Sequence, residues 1–429
     1  MKLPLPRRSQ LLFSPQIILS GYLFKWIFLC LIIGTMAGTA SAGFLLSLNW
    51  VTDWREQHFW LILFLPVIGL LIGLLYHYYG QDVTKGNNQL LEEFHNPKNI
   101  IPFKMAPMIW LSTILTHLVG GSAGREGTAV QMGGSLADQL THLFKFKPRD
   151  RKVILIAGIA AGFASVFGTP LAGTIFGLEV LLVGQLSYAA ILPALLSAVI
   201  ADQTCKAWNV GHTHYHIDLI PGLSAPAILW CVLAGIFFGI TAMLFSKLMH
   251  KIAAFFKAKV AYAPLRPFYG GIILLMVIGF MHWLVPAYST RYLGLGIPVI
   301  LESFKQQQAF IDFATKVLFT AFTVGVGFKG GEVTPLFFIG ATLGSALSLI
   351  IPLPIGLLAG MGFVSVFSGA ANTPLACIVM GIELFGAESS VYIAIACIVA
   401  FLFSGNSGIY SAQPIGTEKH ILLKRYYRK

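Results

Sequence analysis

Long apolar stretches recur from one end of this chain to the other, and very few folds can hold them. They lie at about residues 16–50, 59–77, 105–120, 152–167, 187–201, 225–246, 268–286, 314–327, 336–350, 353–367, 374–385 and 390–404. Several reach the roughly 20 residues that a helix needs to cross a bilayer. Others are shorter and broken by Gly or Pro. Broken segments at membrane depth are tolerated only where they line a cavity or lie buried in protein, because lipid offers no partner for a freed N–H or C=O. The expected fold is therefore an all-α polytopic membrane protein with tilted and broken helices. Composition agrees: of 429 residues 56% are hydrophobic and 11% charged, against roughly 25% charged in a soluble domain.

The net charge of +12 reads as a topology signal rather than a nucleic-acid surface. Lys2, Arg7 and Arg8 precede the first apolar run, and Lys419, Lys424, Arg425, Arg428 and Lys429 follow the last. Two more basic clusters span Lys145–Lys152 and Lys247–Lys259. Positive residues favour the cytoplasmic side, so both termini and both loops are expected there, in a multi-pass protein of a prokaryotic plasma membrane. The basic start and Ala40-Ser41-Ala42 imitate a cleaved signal, but apolar character continues through Leu48, so a retained first helix is expected. The five cysteines are scattered and give neither a disulfide framework nor metal-ligand spacing. No cofactor, metal or nucleic acid is expected.

The chain repeats itself weakly. Gly162-Phe163-Ala164-Ser165-Val166-Phe167 returns as Gly362-Phe363-Val364-Ser365-Val366-Phe367, Thr169-Pro170-Leu171-Ala172 as Thr373-Pro374-Leu375-Ala376, and Gly177-Leu178-Glu179 as Gly381-Ile382-Glu383. The offset is near-constant: 204 residues between Pro170 and Pro374, 206 between Glu126 and Glu332. One transmembrane domain over 1–429 thus holds a repeat at about 16–218 and another at about 225–409. Half-helices meeting at a midplane are typical of inverted repeats.

Glu126, in Gly124-Arg125-Glu126-Gly127-Thr128, and Glu332, in Gly330-Gly331-Glu332-Val333-Thr334-Pro335, sit at matching positions of the two halves. A carboxylate at membrane depth is costly unless paired or protonated, which makes both functional candidates. Each motif runs into a helix-like segment whose first N–H groups and positive dipole end can hold an anion. Pro335 suits a helix start. Lys85-Gly86-Asn87-Asn88-Gln89 offers a third such opening, although Gly-Asn-Asn is also ordinary turn chemistry. Within such a cage an ionised Glu126 competes with the anion, and a protonated one leaves, which couples two fluxes. Arg125 is expected to hold the loop by a salt bridge, and Glu179 and Glu383 to be structural at helix ends near water. His117 reads as a satisfied interior residue. His212-Thr213-His214-Tyr215-His216 is expected in an external loop. Gly120-Gly121-Ser122-Ala123-Gly124 spells a hydrolase elbow without the strand–turn–helix setting, leaving an intramembrane hydrolase as the remote alternative.

Gly-Arg-Glu-Gly at 124–127, Gly-x-x-x-Pro at 331–335, the Thr-Pro-Leu-Ala blocks and the late Tyr410 resemble the CLC family of chloride channels and anion–proton antiporters. The resemblance covers nearly the whole chain. It implies the CLC fold, an inverted repeat in each subunit of a homodimer with one pore per subunit, and a transporter rather than an enzyme. It gives Glu126 the role of gating and proton-coupling residue and Tyr410 that of the central hydroxyl on the anion. The departures point further. This chain has Lys85-Gly86-Asn87-Asn88-Gln89 where chloride members have Gly-Ser-Gly-Ile-Pro, Thr128 where they have proline, and Glu332-Val333-Thr334 within their Gly-x-Phe-x-Pro block. Val180 stands where they carry an internal proton-relay glutamate. This set resembles the fluoride–proton antiporter branch. The resemblance then implies export of fluoride on the proton gradient, with Glu332 as a helper. The anion site implied comprises Asn87, Asn88, Gly124, Gly127, Thr128, Val333, Thr334 and Tyr410. A chloride or mixed-anion exchanger or channel of the same fold is the alternative. The few residues after Tyr410 leave no room for a regulatory domain.

Overall fold

The structure, a computed structural model, describes residues 15–420. The basic residues Lys2, Arg7, Arg8, Lys424, Arg425, Arg428 and Lys429 lie outside the described residues. Within them the regular elements are helices. The first repeat contains α1 (Pro15–Gln57), α2 (Leu65–Tyr78), α3 (Asn87–His95), α4 (Met105–Leu118), α5 (Glu126–Phe144), α6 (Pro148–Phe167), α7 (Pro170–Glu179) and α8 (Ile191–Ala207). The second contains α9 (Ala225–Lys259), α10 (Leu265–Leu284), a short α11 (Pro286–Ser289), α12 (Ile297–Ser303), α13 (Phe310–Gly325), α14 (Val333–Leu347), α15 (Ile355–Ala371), α16 (Pro374–Phe385) and α17 (Ser390–Phe403). Ala40-Ser41-Ala42 lies in the middle of the unbroken α1, so the first apolar run is one helix. Among the described residues, five stretches are long and apolar enough to cross a membrane by length and composition, Leu19–Gln57 and Ala225–Lys259 among them. The shorter apolar helices fill the interior: α5, α6, α14 and α15 are buried along almost their whole length.

The two halves pack alike. Within each, the fifth and sixth helices or their counterparts meet backbone to backbone through glycine. A Cβ on Gly158 would lie 2.5 Å from the Gly133 oxygen, and one on Gly340 only 2.0 Å from the Gly362 oxygen. With no side-chain layer between them, α5 on α6 and α14 on α15 form two slabs that leave the helix starts close together. Phe337 and Phe363 then stack at 4.1 Å between centroids, and Phe163 on Phe176 at 4.4 Å.

Between the halves, α7 and α16 cap each other. Glu179, the last residue of α7, accepts the N–H groups of Leu375 and Ala376 at 3.1 and 2.8 Å, in the first turn of α16. Glu383, near the end of α16, accepts those of Leu171 and Ala172 at 2.9 and 2.7 Å. Each carboxylate satisfies orphan donors of the opposite helix and meets its positive end. A reciprocal exchange of this kind requires the helices to run antiparallel about a two-fold axis, which makes the repeat an inverted one. The pair was expected beside water. Glu179 is instead buried, at 5% exposure, because its partner is a helix end rather than solvent.

Candidate functional site

Two helices begin face to face at the centre of this arrangement. The Gly124 N–H donates to the Gly331 carbonyl at 2.5 Å, and the Gly331 N–H to the Gly124 carbonyl at 2.8 Å. Only glycine permits the approach: a Cβ on Gly331 would sit 2.8 Å from the Gly127 nitrogen. Because the exchange is reciprocal, Gly124 and Gly331 are the equivalent residues of the two repeats. The alignment read from sequence is therefore displaced by one. Glu126 opens α5, whereas Glu332 precedes α14. Val333 stands where Glu126 stands, and Glu332 where Arg125 stands. The shared spelling Gly-x-Glu-x-Thr concealed the shift.

Glu126 reaches across this junction and is fully buried. The Thr334 hydroxyl lies 2.7 Å from both carboxylate oxygens, sharing its proton between them, and the Thr334 N–H donates to Oε2 at 3.0 Å. The Arg125 N–H reaches the same oxygen at 3.3 Å, and Arg125 Nε lies 3.5 Å from Oε1. The carboxylate thus sits on the first turn of α14, where unpaired N–H groups and the helix dipole favour a negative charge.

The third opening closes over Gly127. An ideal Cβ there would meet Asn87 Nδ2 at 3.0 Å and Glu332 Oε2 at 3.7 Å, so both side chains lie against the bare α-carbon. Asn87 Oδ1 and Glu332 Oε2 are buried without a hydrogen-bond partner. Asn87 begins α3 after Gly86, whose φ of +56° makes the turn. Asn87 also lines, with Tyr410 and Val180, a cavity of about 10 Å³, at the lower limit for one water. The Gln131 amide donates to the Gly127 carbonyl at 3.2 Å and fixes the first turn of α5.

Asn87, Gly124, Gly127, Glu126, Glu332, Val333 and Thr334 therefore gather at one junction, with Tyr410 behind Asn87. Two candidates turn away. Asn88 accepts the Ala412 N–H at 2.9 Å and anchors the segment that follows Tyr410. The Thr128 hydroxyl faces Thr113 Oγ1 at 2.8 Å and ties α5 to α4. His117 places its two ring nitrogens 2.9 and 3.0 Å from the Thr113 and Ala123 carbonyls, pinning the loop that leads to Glu126.

Sequence reasoning missed Lys316. It is fully buried on α13, its ammonium donates to the Tyr292 and Gly294 carbonyls at 3.0 and 2.8 Å, and it lies 4.9 Å from the Phe338 ring centroid. A lysine inside the apolar run at 314–327 was signal enough, since ionisable residues at membrane depth find specific partners.

Known proteins share this sequence pattern and this fold. Residues 68–405 match the family described as Voltage gated chloride channel. The chain is 52% identical over 408 residues to the "Chloride/fluoride channel protein" of Pseudomonas syringae pv. tomato, covering 94% of this chain and 90% of that protein. It is 26% identical to an H(+)/Cl(-) exchange transporter of Vibrio parahaemolyticus, over 88% of this chain and 85% of the relative. Among solved structures, a CLC-type fluoride/proton antiporter superposes with a TM-score of 0.88 at 35% identity, over 94% of this chain and 100% of that one. A slow cyanobacterial Cl−/H+ antiporter shares the fold, with a TM-score of 0.77 at 20% identity over 94% of this chain and 98% of that one.

Proposed function

The chain belongs to the voltage-gated chloride channel (CLC) family and so moves anions across a membrane rather than transforming a substrate, and we propose that it exchanges fluoride for protons. The observation that carries this reading is the seat of Glu126. The Thr334 hydroxyl and N–H that hold its carboxylate are donors of the kind an anion would use, so the two would compete for one place. Protonation removes the charge that holds it there, and a competing anion takes the seat. One group thereby makes occupancy by proton and by anion depend on each other. Fluoride is small and strongly hydrated, so a site must replace its water with strong donors. The Thr334 hydroxyl and N–H, the Asn87 amide and the Tyr410 hydroxyl are of that kind. We assign anion contact to these groups and to the glycine backbone, with Glu332 as a proton helper.

Val180 is apolar and buried, and Glu179 beside it is engaged with α16. No free carboxylate stands at that place, so proton passage falls to Glu126. The relatives named for fluoride support the same choice of ion. By the positive-inside bias we place the Lys147 loop in the cytoplasm together with the C-terminal end of α9, where the structure puts the Lys247–Lys259 cluster that was expected as a loop, and the His212–His216 loop outside. Lys25 on α1 meets Asp150 on α6 at 2.8 Å, so the starts of both helices share that inner side. The protein would then work in a prokaryotic plasma membrane, as a homodimer with one pore in each subunit, exporting fluoride as protons enter.

The test is efflux from liposomes carrying the purified protein, read with a fluoride electrode and, in parallel, a chloride electrode and a pH electrode. Fluoride should leave much faster than chloride, and a fluoride gradient should move protons uphill. Equal rates for the two halides would replace fluoride selectivity with the mixed-anion alternative.

A further inference from the structure

The loop after α8 folds back onto the end of α6 and brings with it a buried acid–imidazole pair. Asp202 on α8 is 1% exposed. Its Oδ2 accepts from Lys206 Nζ at 2.7 Å and from the Gln203 amide at 3.2 Å. Its Oδ1 has no hydrogen-bond partner and lies 3.8 Å from His212 Nε2. Neither ring nitrogen of His212 has a hydrogen-bond partner, although only 10% of that side chain is exposed. The ring lies flat on Gly168, the residue that ends α6 at φ +74°. A Cβ on Gly168 would meet His212 Cδ2 at 2.5 Å and Cγ at 2.8 Å, so the backbone leaves a berth for the imidazole.

The same place collects other unpaired polar atoms. The Thr169 hydroxyl, next in chain to Gly168, is buried without a hydrogen-bond partner, and Arg125 Nε, 3.5 Å from Glu126 Oε1, makes no hydrogen bond either. Of the twelve such buried atoms among the described residues, Asp202 Oδ1, both nitrogens of His212, Thr169 Oγ1 and Arg125 Nε make five. A buried polar atom left without a partner is costly, so a cluster of them calls for ordered water. Packing joins the cluster to the site: Phe167, beside Gly168, meets Phe337 of α14 at 5.0 Å between ring centroids, one turn from Thr334, and Tyr215, three residues further along the loop, packs at 5.0 Å on Phe363, which stacks on the same Phe337.

We propose that Asp202 and His212 form a proton-transfer station through which Glu126 exchanges protons with the outer solution. The proposal rests on the antiporter reading above. A proton from outside water binds a ring nitrogen of neutral His212, and the Asp202 carboxylate stabilises the imidazolium. The imidazolium then gives a proton to water held between Thr169 and Arg125, and that water passes one to the Glu126 carboxylate. His212 returns to its neutral form, and Glu126 becomes the carboxylic acid that yields its seat to fluoride. Arg125 keeps its charge throughout and orders the water without relaying.

The electrical surroundings suit such a relay. Burial pushes the His212 imidazole below its ordinary range, the Asp202 carboxylate pulls it back up, and the Arg125 and Lys206 charges press it down again. The Val166 carbonyl faces the ring without hydrogen-bond geometry. Glu383 acts on this neighbourhood from α16, and the Cys205 thiol, on the same helix as Asp202, feels both Asp202 and Arg125. The histidine therefore rests neutral and accepts a proton only in passing.

The experiment compares the wild-type protein with His212→Gln and Asp202→Asn in liposomes, with fluoride efflux and proton uptake recorded over a range of symmetric pH. Both variants should turn over at least about tenfold more slowly than wild type at neutral pH, the scale on which a positioned acid–base group acts. Both should recover toward the wild-type rate in acid, where hydronium protonates Glu126 directly, and should keep the wild-type ratio of fluoride to protons. Rates reduced equally at every pH would mean that the pair is structural, and an unchanged pH profile would mean that it is idle. Either result overturns the station. A wild-type protein that moves fluoride without protons would remove the antiporter reading itself, and the station with it.

Discussion

Glu126→Gln separates holding an anion's seat from carrying a proton. The wild-type carboxylate accepts the Thr334 hydroxyl and N–H and the Arg125 N–H, and lies against Arg125 Nε. Hydrogen bonds to a charged group contribute about 1.5–3 kcal/mol each. The amide keeps one acceptor oxygen but turns an NH2 toward donors and carries no charge, so at least two of these bonds weaken or become donor–donor contacts. The glutamine should hold the seat less well by about 3 kcal/mol or more, a factor of roughly 150 in competition with a bound anion. Fluoride binding to the variant, followed by titration calorimetry, should therefore tighten by up to about that factor. Transport should behave oppositely. An amide has one protonation state, so a fluoride gradient should no longer drive proton uptake in liposomes, and turnover should stall because the side chain no longer alternates. A variant that still pumped protons uphill would remove Glu126 from coupling and turn attention to Glu332. Unchanged fluoride affinity would show that the carboxylate does not compete for the site.

Asn87→Ala removes an amide donor from the junction, and should narrow the preference for fluoride over chloride by about 10- to 150-fold, the value of one donor to a small anion; liposome efflux of both ions measures it. Asn88→Ala should leave that preference unchanged, because its amide oxygen serves Ala412. Glu179→Gln and Glu383→Gln should each lower the melting temperature in detergent by similar amounts, each costing about 1–2 kcal/mol as lost helix caps do; a loss confined to one of them would contradict the two-fold relation. Cysteines introduced at positions 147 and 214 should label from opposite sides with an impermeant thiol reagent, 214 from outside intact cells, and labelling of 147 from outside would invert the proposed topology.

Much of this was legible because the bilayer punishes exceptions. Apolar runs, their breakage by Gly and Pro, and two glutamates among glycines led to the helices, the repeat and the junction at Gly124 and Gly331. What escaped depended on distances that sequence does not carry. The spelling at 124–128 and 330–334 aligned Glu126 with Glu332, and only the backbone exchange between the glycines exposed the one-residue shift. Asn87 and Asn88 are neighbours with the same chemistry. The helical phase of α3 sends one to Gly127 and the other to Ala412. Asp202 and His212 belong to a helix end and a loop that look solvated by composition, and only the bare α-carbon of Gly168 reveals why the ring goes inward.

That one-residue shift also explains how a symmetric scaffold yields an asymmetric machine. Two-fold packing brings two helix N-termini to the same point, and each would attract an anion equally well. If both carried a carboxylate at the first helical position, the two would repel and neither would rest on the opposite helix. The first repeat supplies Glu126 there, and the second supplies Val333, whose helix start is left open to receive it. Glu332 occupies the Arg125 position instead, one residue outside its own helix, and turns toward Asn87 and Gly127. The acceptor helix thus comes from one repeat and the carboxylate from the other. Thr334 marks the receiving side, since its hydroxyl and N–H meet the carboxylate together. Moving the acid across the axis, as Glu126→Val with Val333→Glu, should therefore not restore coupling, because the second residue of α5 is Gly127 and offers no hydroxyl. Proton uptake at the wild-type rate in that double variant would show that the two helix starts are interchangeable and that Thr334 is not the feature that seats the charge.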